Sequence, residues 1–173
     1  MSSRTQPSPD LDGQVAVVTG AGSPHGIGMA VARRLAERGA LVVIGSTTER
    51  IHDRVAELLA EGHRALGFIG DLVDPDTCGR LVDMVTGRIG RLDVLVNNAG
   101  MTAVGDALDT RLAGAQRRSP HESWQRALDR NLTTVHNMSI AAAPAMVAAG
   151  YGRIVNMSSV SGTTMAYAGD LGY

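Results

Sequence analysis

Lysine is missing from this chain: all 16 of its basic residues are arginine. Any mechanism that needs a lysine is therefore incomplete within these 173 residues, and a Walker-type phosphate loop is excluded. Cysteine is almost missing too. The single Cys78 allows no internal disulfide, which suits a reducing cytoplasm. No run of about 18 apolar residues occurs, so no membrane span is expected. The opening MSSRTQPSPD is polar, carries prolines and lacks the apolar core of a signal peptide; residues 1–12 read as a disordered tail. Surplus charge is lacking as well. A net charge of −1 and a pI near 6.5 argue against a nucleic-acid partner, which demands a basic face. There is no G-x-S-x-G elbow, and the five histidines fall at no metal-ligand spacing, so no metal is expected.

What is present is organised around Val15 to Ala32, VAVVTGAGSPHGIGMAVA. The apolar run Val15–Val18 suits a strand buried on both faces. Gly20, Gly22, Gly26 and Gly28 follow, and Ile27, Val31 and Leu35 then recur at helical spacing on one face. A strand, a glycine turn and a helix start together suit a pyrophosphate: glycines admit the phosphate oxygens, and free N–H groups face the charge.

The same alternation continues along the chain. Leu41–Ile44 is a second strand, and a helix with Ile51, Val55, Leu58 and Leu59 on its buried face follows. Leu66–Ile69 is a third strand. Asp74 caps a third helix with Pro75 at its first position and a stripe of Cys78, Leu81, Val82, Val85 and Ile89, which makes Cys78 a core residue. Leu92–Val96 is a fourth strand running into Asn97-Asn98-Ala99-Gly100, and Met101 to Arg118 shows no period. Ser119-Pro120-His121-Glu122 is a capping box for a long helix whose predicted buried stripe is Trp124, Leu128, Leu132, Val135, Ala142 and Met146. Pro144 is expected to bend its last turns. Arg153–Met157 is a fifth strand ending at Ser158-Ser159. Strands alternating with helices predict an α/β Rossmann-type, doubly wound parallel sheet in three layers, occupying residues 13–173. Its strand ends bring the Gly20–Gly28 loop, Asp71, Asn97–Gly100 and Ser158-Ser159 to one edge.

TGAGSPHGIG, NNAG and IVNMSS in this arrangement resemble the cofactor loop, central-strand motif and catalytic-serine strand of the short-chain dehydrogenase/reductase family, from Gly13 to Tyr173. The resemblance implies that Gly20, Gly22, Ser23, Gly26, Ile27 and Gly28 surround the cofactor's phosphates and adenosine ribose. It implies that Asp71 and Leu72 flank the adenine and that Asn98, Ala99 and Gly100 line the cofactor's ribose region. For Asp71 the residues alone equally allow a strand-end cap, and for the asparagine a tie between two strands. Asn131 matches a helix asparagine that holds a water in a proton relay; asparagine is otherwise unfavourable in mid-helix. Ser159, in preference to its neighbour Ser158, matches the serine that hydrogen-bonds a substrate carbonyl. Tyr173, with Tyr167 as competitor, matches the tyrosine that gives a proton to the alkoxide.

A free tyrosine has a pKa of about 10, and bringing it near 7 needs about 4 kcal/mol of differential stabilisation. Family members supply part of that field with a lysine four residues after the tyrosine. Leu171 holds that place after Tyr167, and the position after Tyr173 lies beyond the sequence. The expectation is thus an incomplete domain, inactive as it stands, continued elsewhere by three residues and a lysine. Gly20 and Gly26 enclose five residues where the family's usual loop has three; enoyl reductases of the superfamily share the longer spacing but lack the serine, so Ser159 favours carbonyl reduction.

After the second strand come Gly45-Ser46-Thr47-Thr48, with no acid to accept a ribose 2′-OH, and His25 and Arg50 are basic residues within reach. NADP is expected over NAD, with Ser46 at the discriminating position. The implied activity is reduction of a carbonyl to an alcohol on a small molecule or acyl thioester, like a 3-oxoacyl reductase. A non-catalytic dinucleotide-binding sensor or scaffold is the alternative. The long helix after Ser119 resembles the one through which family members pair, implying a homodimer or homotetramer.

Overall fold

The computed structural model describes residues 10–100 and 120–159. Five parallel strands stand in the order β3-β2-β1-β4-β5: β1 Val15–Val18, β2 Leu41–Ser46, β3 Ala65–Ile69, β4 Val94–Asn97 and β5 Arg153–Asn156. Helices α1 Ile27–Glu37 and α2 Ile51–Ala60 cover one face, and α3 Pro75–Ile89 and α5 Thr134–Ala148 the other. Helix α4, Pro120–Leu128, leads into α5 through a π-helical turn, Asp129–Thr133. This is the Rossmann-type, three-layer α/β arrangement the alternation predicts.

The two-residue period of a strand splits the core cleanly. Ala16 and Val18 of β1, Val42 and Ile44 of β2, and Val94 and Val96 of β4 pack with Met29, Ala32, Ile51 and Leu58. Val15, Val17, Val43 and Leu95 pack instead with Cys78, Leu81, Val85, Met138 and Ala142. Helix α3 starts as its sequence dictates: the Asp74 carboxylate accepts from the N–H groups of Asp76 and Thr77 (both 3.1 Å).

Three predicted faces are corrected. Ile27 is 60% exposed, and α1 meets the sheet through Met29 and the small residues Gly28, Ala32 and Ala36, with Val31 and Leu35 packed partly buried beside them. Leu59 of α2 is exposed, leaving Ile51 and Leu58 as its buried residues. Trp124 is exposed, Leu132 is 61% exposed, and the buried line is Thr134, Met138, Ala142 and Met146. The π turn, whose wider winding follows Leu128, sets Leu132 off the predicted stripe, while Ala142 and Met146 of that stripe are buried as expected. Helix α5 runs on through Pro144 to Ala148. Asp10 to Asp12, assigned to the tail by composition, are pinned: Leu11 N donates to Arg38 O (3.0 Å), and the Arg38 guanidinium pairs with Asp10.

At the opposite edge from the strand ends, buried Asp93 ties three strands. Its carboxylate accepts from Val15 N (2.8 Å) and from Arg91 (2.7 and 2.8 Å), while Arg153 N donates to its carbonyl (2.8 Å). Asp93→Ala strands the Val15 N–H inside the sheet. A loss of about 1–3 kcal/mol in urea unfolding at unchanged slope is expected.

Cys78 is fully buried with its Sγ–H donating to Leu72 O (3.4 Å), and burial pushes its thiol up to about 11. A thiol-specific reagent should leave Cys78 unlabelled in the native protein and label it on unfolding; native labelling would contradict the burial.

Candidate functional site

The strand order creates the site. The chain moves outward from β1 to β2 to β3, then returns to lay β4 on the other side of β1. The loops leaving β1 and β4 diverge there and open a crevice at the carboxyl ends of the strands. A cleft of about 1000 Å³ occupies this edge, lined by Gly20, Gly22, Ser23, Gly45, Ser46, Thr47, Arg50, Phe68, Gly70 to Val73, Ala99, Gly100, Arg126, Asp129, Arg130 and Thr134.

The glycine loop is held by side chains that local patterns do not reveal. Thr19 is 1% exposed; its Oγ1 accepts from the N–H groups of Asn98 (3.0 Å) and Ala99 (2.9 Å) and donates to Val96 O (3.3 Å). The Asn98 amide donates to Thr19 O (3.0 Å) and Gly20 O (3.2 Å), so it ties β4 to β1. Against this seam there is no room for a side chain. A Cβ on Gly28 would lie 2.6 Å from Asn98 Nδ2, and one on Gly20, whose φ is +71°, would lie 2.7 Å from Ala99 Cα. A Cβ on Gly22 would lie 2.6 Å from Ser46 Oγ, and Ala21 N donates to Gly45 O (2.9 Å), seating the loop against β2.

Helix α1 then begins behind Gly26 with no side-chain cap and no acid in its first turn. Its first N–H groups lack intrahelical partners, and the positive end of its dipole is uncompensated by side chains.

At the end of β2 the polar groups form a cluster without a carboxylate. Thr48 N donates to Ser46 Oγ (3.2 Å), and Arg50 Nε donates to Thr48 Oγ1 (3.3 Å). Glu49, the first acid after Ile44, is paired with His52 (3.1 Å) and does not line the cleft. Arg50 does line it and makes no ion pair with any described residue.

The end of β3 shows the strand-end cap that the sequence allows: Asp71 Oδ1 accepts from Val73 N (3.0 Å). The following loop is clamped by Asn137 of α5, whose amide donates to Leu72 O (3.2 Å) and Val73 O (2.9 Å). Asn131 sits within the π turn, where its Nδ2 donates to Ala127 O (3.0 Å). Its Oδ1 stands 2.7 Å from where a Cβ on Gly100 would be, so helix and NNAG turn are in direct contact. Ser159, half-buried, follows β5, while its neighbour Ser158 is exposed. Tyr167 and Tyr173 lie outside the described residues.

Of the dinucleotide residues expected from the sequence, Gly20, Gly22, Ser23, Ser46, Asp71, Leu72, Ala99 and Gly100 share the cleft lining. Gly26, Gly28 and Asn98 support that lining from behind, and His25 and Ile27 are exposed outside it. Thr19, Asn137, Arg126 and Arg130 belong to the site and are missed by the sequence reading. Thr19 alone had a readable signal, a polar residue continuing a buried apolar strand directly before the first glycine. The donor set fits an anionic dinucleotide: close-approach glycines, an uncapped helix start and a guanidinium, Arg50, without an acid partner among the described residues.

A family model described as short chain dehydrogenase matches residues 14–173. Cis-4-hydroxycyclohexanecarboxylate dehydrogenase of Sinomonas cyclohexanicum is 44% identical over 154 residues, 86% of this chain and 56% of that protein. A 3-oxoacyl-acyl-carrier-protein reductase of Haemophilus influenzae is 33% identical over 154 residues, 89% of this chain and 58% of its own length. Among solved structures, a metagenomic short-chain oxidoreductase in complex with NADP superposes with a TM-score of 0.74 at 38% identity, covering 89% of this chain and 66% of that one. The chain thus spans a little over half the length of these curated relatives.

Proposed function

The chain belongs to the short-chain dehydrogenase family, and on that premise we propose that the whole protein is an NADP-dependent oxidoreductase interconverting a carbonyl and an alcohol. The observation that carries the reading is the cleft at the β1–β4 switch point, with its glycine floor and the acid-free Ser46-Thr48-Arg50 cluster at one wall. Bound there, the nicotinamide cofactor supplies or accepts the hydride. Gly20, Gly22 and Ser23 hold its phosphates with the α1 N-terminus, Asp71 and Leu72 flank the adenine, and Ala99 and Gly100 line the ribose region with Asn98 bracing them from behind. Arg50, with Ser46 and Thr48, takes the 2′-phosphate. In the reduction, the Ser159 hydroxyl donates a hydrogen bond to the carbonyl oxygen, and Tyr173 gives that oxygen its proton as the carbon gains hydride. Asn131 holds the water through which Tyr173 is reprotonated.

The substrate is a small-molecule ketone or a 3-oxoacyl thioester. The first relative acts, by its name, on a ring alcohol bearing a carboxylate, and the second on a 3-oxoacyl carrier-protein thioester. The protein works as a homodimer or homotetramer, a reading supported by Ile140 and Val147 standing exposed on α5. No helix among the described residues is long and apolar enough to cross a membrane.

The test is NADPH oxidation by the whole protein against a panel of cyclic keto acids and 3-oxoacyl thioesters, with NADPH binding followed separately by fluorescence. Turnover of one class supports the oxidoreductase reading. Tight NADPH binding with no turnover on any carbonyl would instead favour a dinucleotide-binding sensor.

A further inference from the structure

One helical stretch touches both rims of the dinucleotide cleft. In the π turn Asn131 Oδ1 stands against Gly100 after β4, and six residues on, in α5, Asn137 reaches the loop after β3. In the sheet these two strands are three places apart, about 14 Å at the usual strand spacing. Asparagine is a poor residue for a helix interior, because its amide competes for backbone partners. In Asn137 the amide leaves its own helix: Nδ2 donates to Leu72 O (3.2 Å) and to Val73 O (2.9 Å). Peptide units are planar and rigid, so gripping two consecutive carbonyls fixes two consecutive peptide planes.

The loop so gripped is weakly held otherwise. Its root is tied to β2, where Gly70 N donates to Ser46 O (3.0 Å). Asp71 then closes it on itself, its Oδ1 accepting from Val73 N (3.0 Å) and its carbonyl from Asp74 N (3.3 Å). Leu72 O takes one further donor, the weak Sγ–H of Cys78 (3.4 Å). Among the described residues, Asn137 is thus the strong tie from Leu72 and Val73 to an element outside the loop and α3. Asp71, Leu72 and Val73 all line the cleft, whereas Asn137 does not. Resting on the dinucleotide reading of that cleft, we propose that Asn137 is a positioning residue for the adenosine half of the cofactor. By holding the Leu72 and Val73 carbonyls against α5, it keeps in place the loop on which the adenine lies. A surface already ordered before binding avoids the ordering cost that a loose loop imposes.

The experiment uses the whole protein and the variants Asn137→Leu, Asn137→Ala and Asn137→Gln. Affinity is measured for NADPH and for reduced nicotinamide mononucleotide, which lacks the adenosine half, together with the melting temperature. Two hydrogen bonds of ordinary net strength correspond to about 5- to 30-fold, so NADPH should weaken by that much in Asn137→Leu. Binding of the mononucleotide should hold. The melting temperature should move little, because Asn137 and Val73 are only half-buried and water can reach the freed carbonyl. Asn137→Gln, which keeps the amide on a longer stem, should recover part of the NADPH affinity. A folded Asn137→Leu that binds NADPH like the wild type overturns this inference alone. So does a parallel fall of both affinities and the melting temperature, the mark of a merely structural residue. If Asn137→Leu does not fold, Asn137→Ala decides by the same comparison, and failure of both to fold also assigns a structural role and overturns the inference. A wild type that binds NADPH no more tightly than the mononucleotide overturns the placement of the adenine, and this inference with it. A wild type that binds no NADPH overturns the dinucleotide reading itself.

Discussion

Ser159→Ala in the whole protein is expected to lower carbonyl turnover by about 100-fold, the usual effect of removing one donor to a developing oxyanion. That corresponds to about 2.7 kcal/mol of transition-state stabilisation. NADPH affinity should be untouched, because Ser159 is not among the residues lining the dinucleotide cleft. Two serines compete for the role, and their burial separates them. Ser159 is half-buried at the end of β5, whereas Ser158 is exposed. A donor that works in a water-excluded site has to be the less solvated of the two, since hydrogen bonds to a developing charge weaken where water competes. Ser158→Ala is therefore the control, with a small effect on kcat. Were Ser158→Ala the damaging change and Ser159→Ala mild, the hydroxyl would be assigned to the wrong serine by one residue.

The fold was legible wherever burial imposes a composition. Val15–Val18 is buried on both faces and reads as a strand without ambiguity, and the Asp74-Pro75 start of α3 is written in two residues. Helix faces were less legible where the buried contact is made by small residues. In α1 Val31 and Leu35 do pack against the core, partly buried, but Ile27 does not, and the fully buried line is Gly28, Met29, Ala32 and Ala36, which is three small residues and a methionine. The π turn at Asp129–Thr133 was illegible because nothing in its sequence, DRNLT, beyond the mid-helix Asn131 sets it apart from an α-helical turn. Its consequence, the shift of the buried line to Met138, follows only once tertiary contacts choose the winding. In the site, positions directly after strand ends could be read from the alternation, and most of them share one cleft. The supports could not. Thr19 reaches Asn98 and Ala99 across 79 and 80 residues, and Asn137 reaches Leu72 across 65. Hydrogen bonds over such separations leave no periodicity for a sequence to show.

The unaltered protein is expected to bind NADPH more tightly than NADH, and Ser46→Asp to reverse that order. Ser46 ends β2, lines the cleft and accepts from Thr48 N through its hydroxyl (3.2 Å), so a carboxylate placed there keeps an N–H donor and faces the bound adenosine. Toward a 2′-phosphate that carboxylate is repulsive. Two unit charges 4 Å apart interact by about 4 kcal/mol at an effective dielectric of 20 and about 1 kcal/mol in bulk water. At about 1.4 kcal/mol per decade, NADPH affinity should therefore drop by about 5- to 700-fold. Toward the 2′-OH of NADH the same carboxylate is an acceptor, so NADH affinity should rise or hold. Arg50→Gln separates attraction from repulsion: it removes the cation that faces the cleft without an acid partner and adds no charge. NADPH should weaken by about 10- to 150-fold in that variant, as for a charge-assisted hydrogen bond worth about 1.5–3 kcal/mol, while NADH stays put. Fluorescence titration of both cofactors against the three proteins reads all of this directly. Tighter NADH binding by the unaltered protein would sink the argument at its first step, because the acid-free end of β2 would then not be what selects the cofactor.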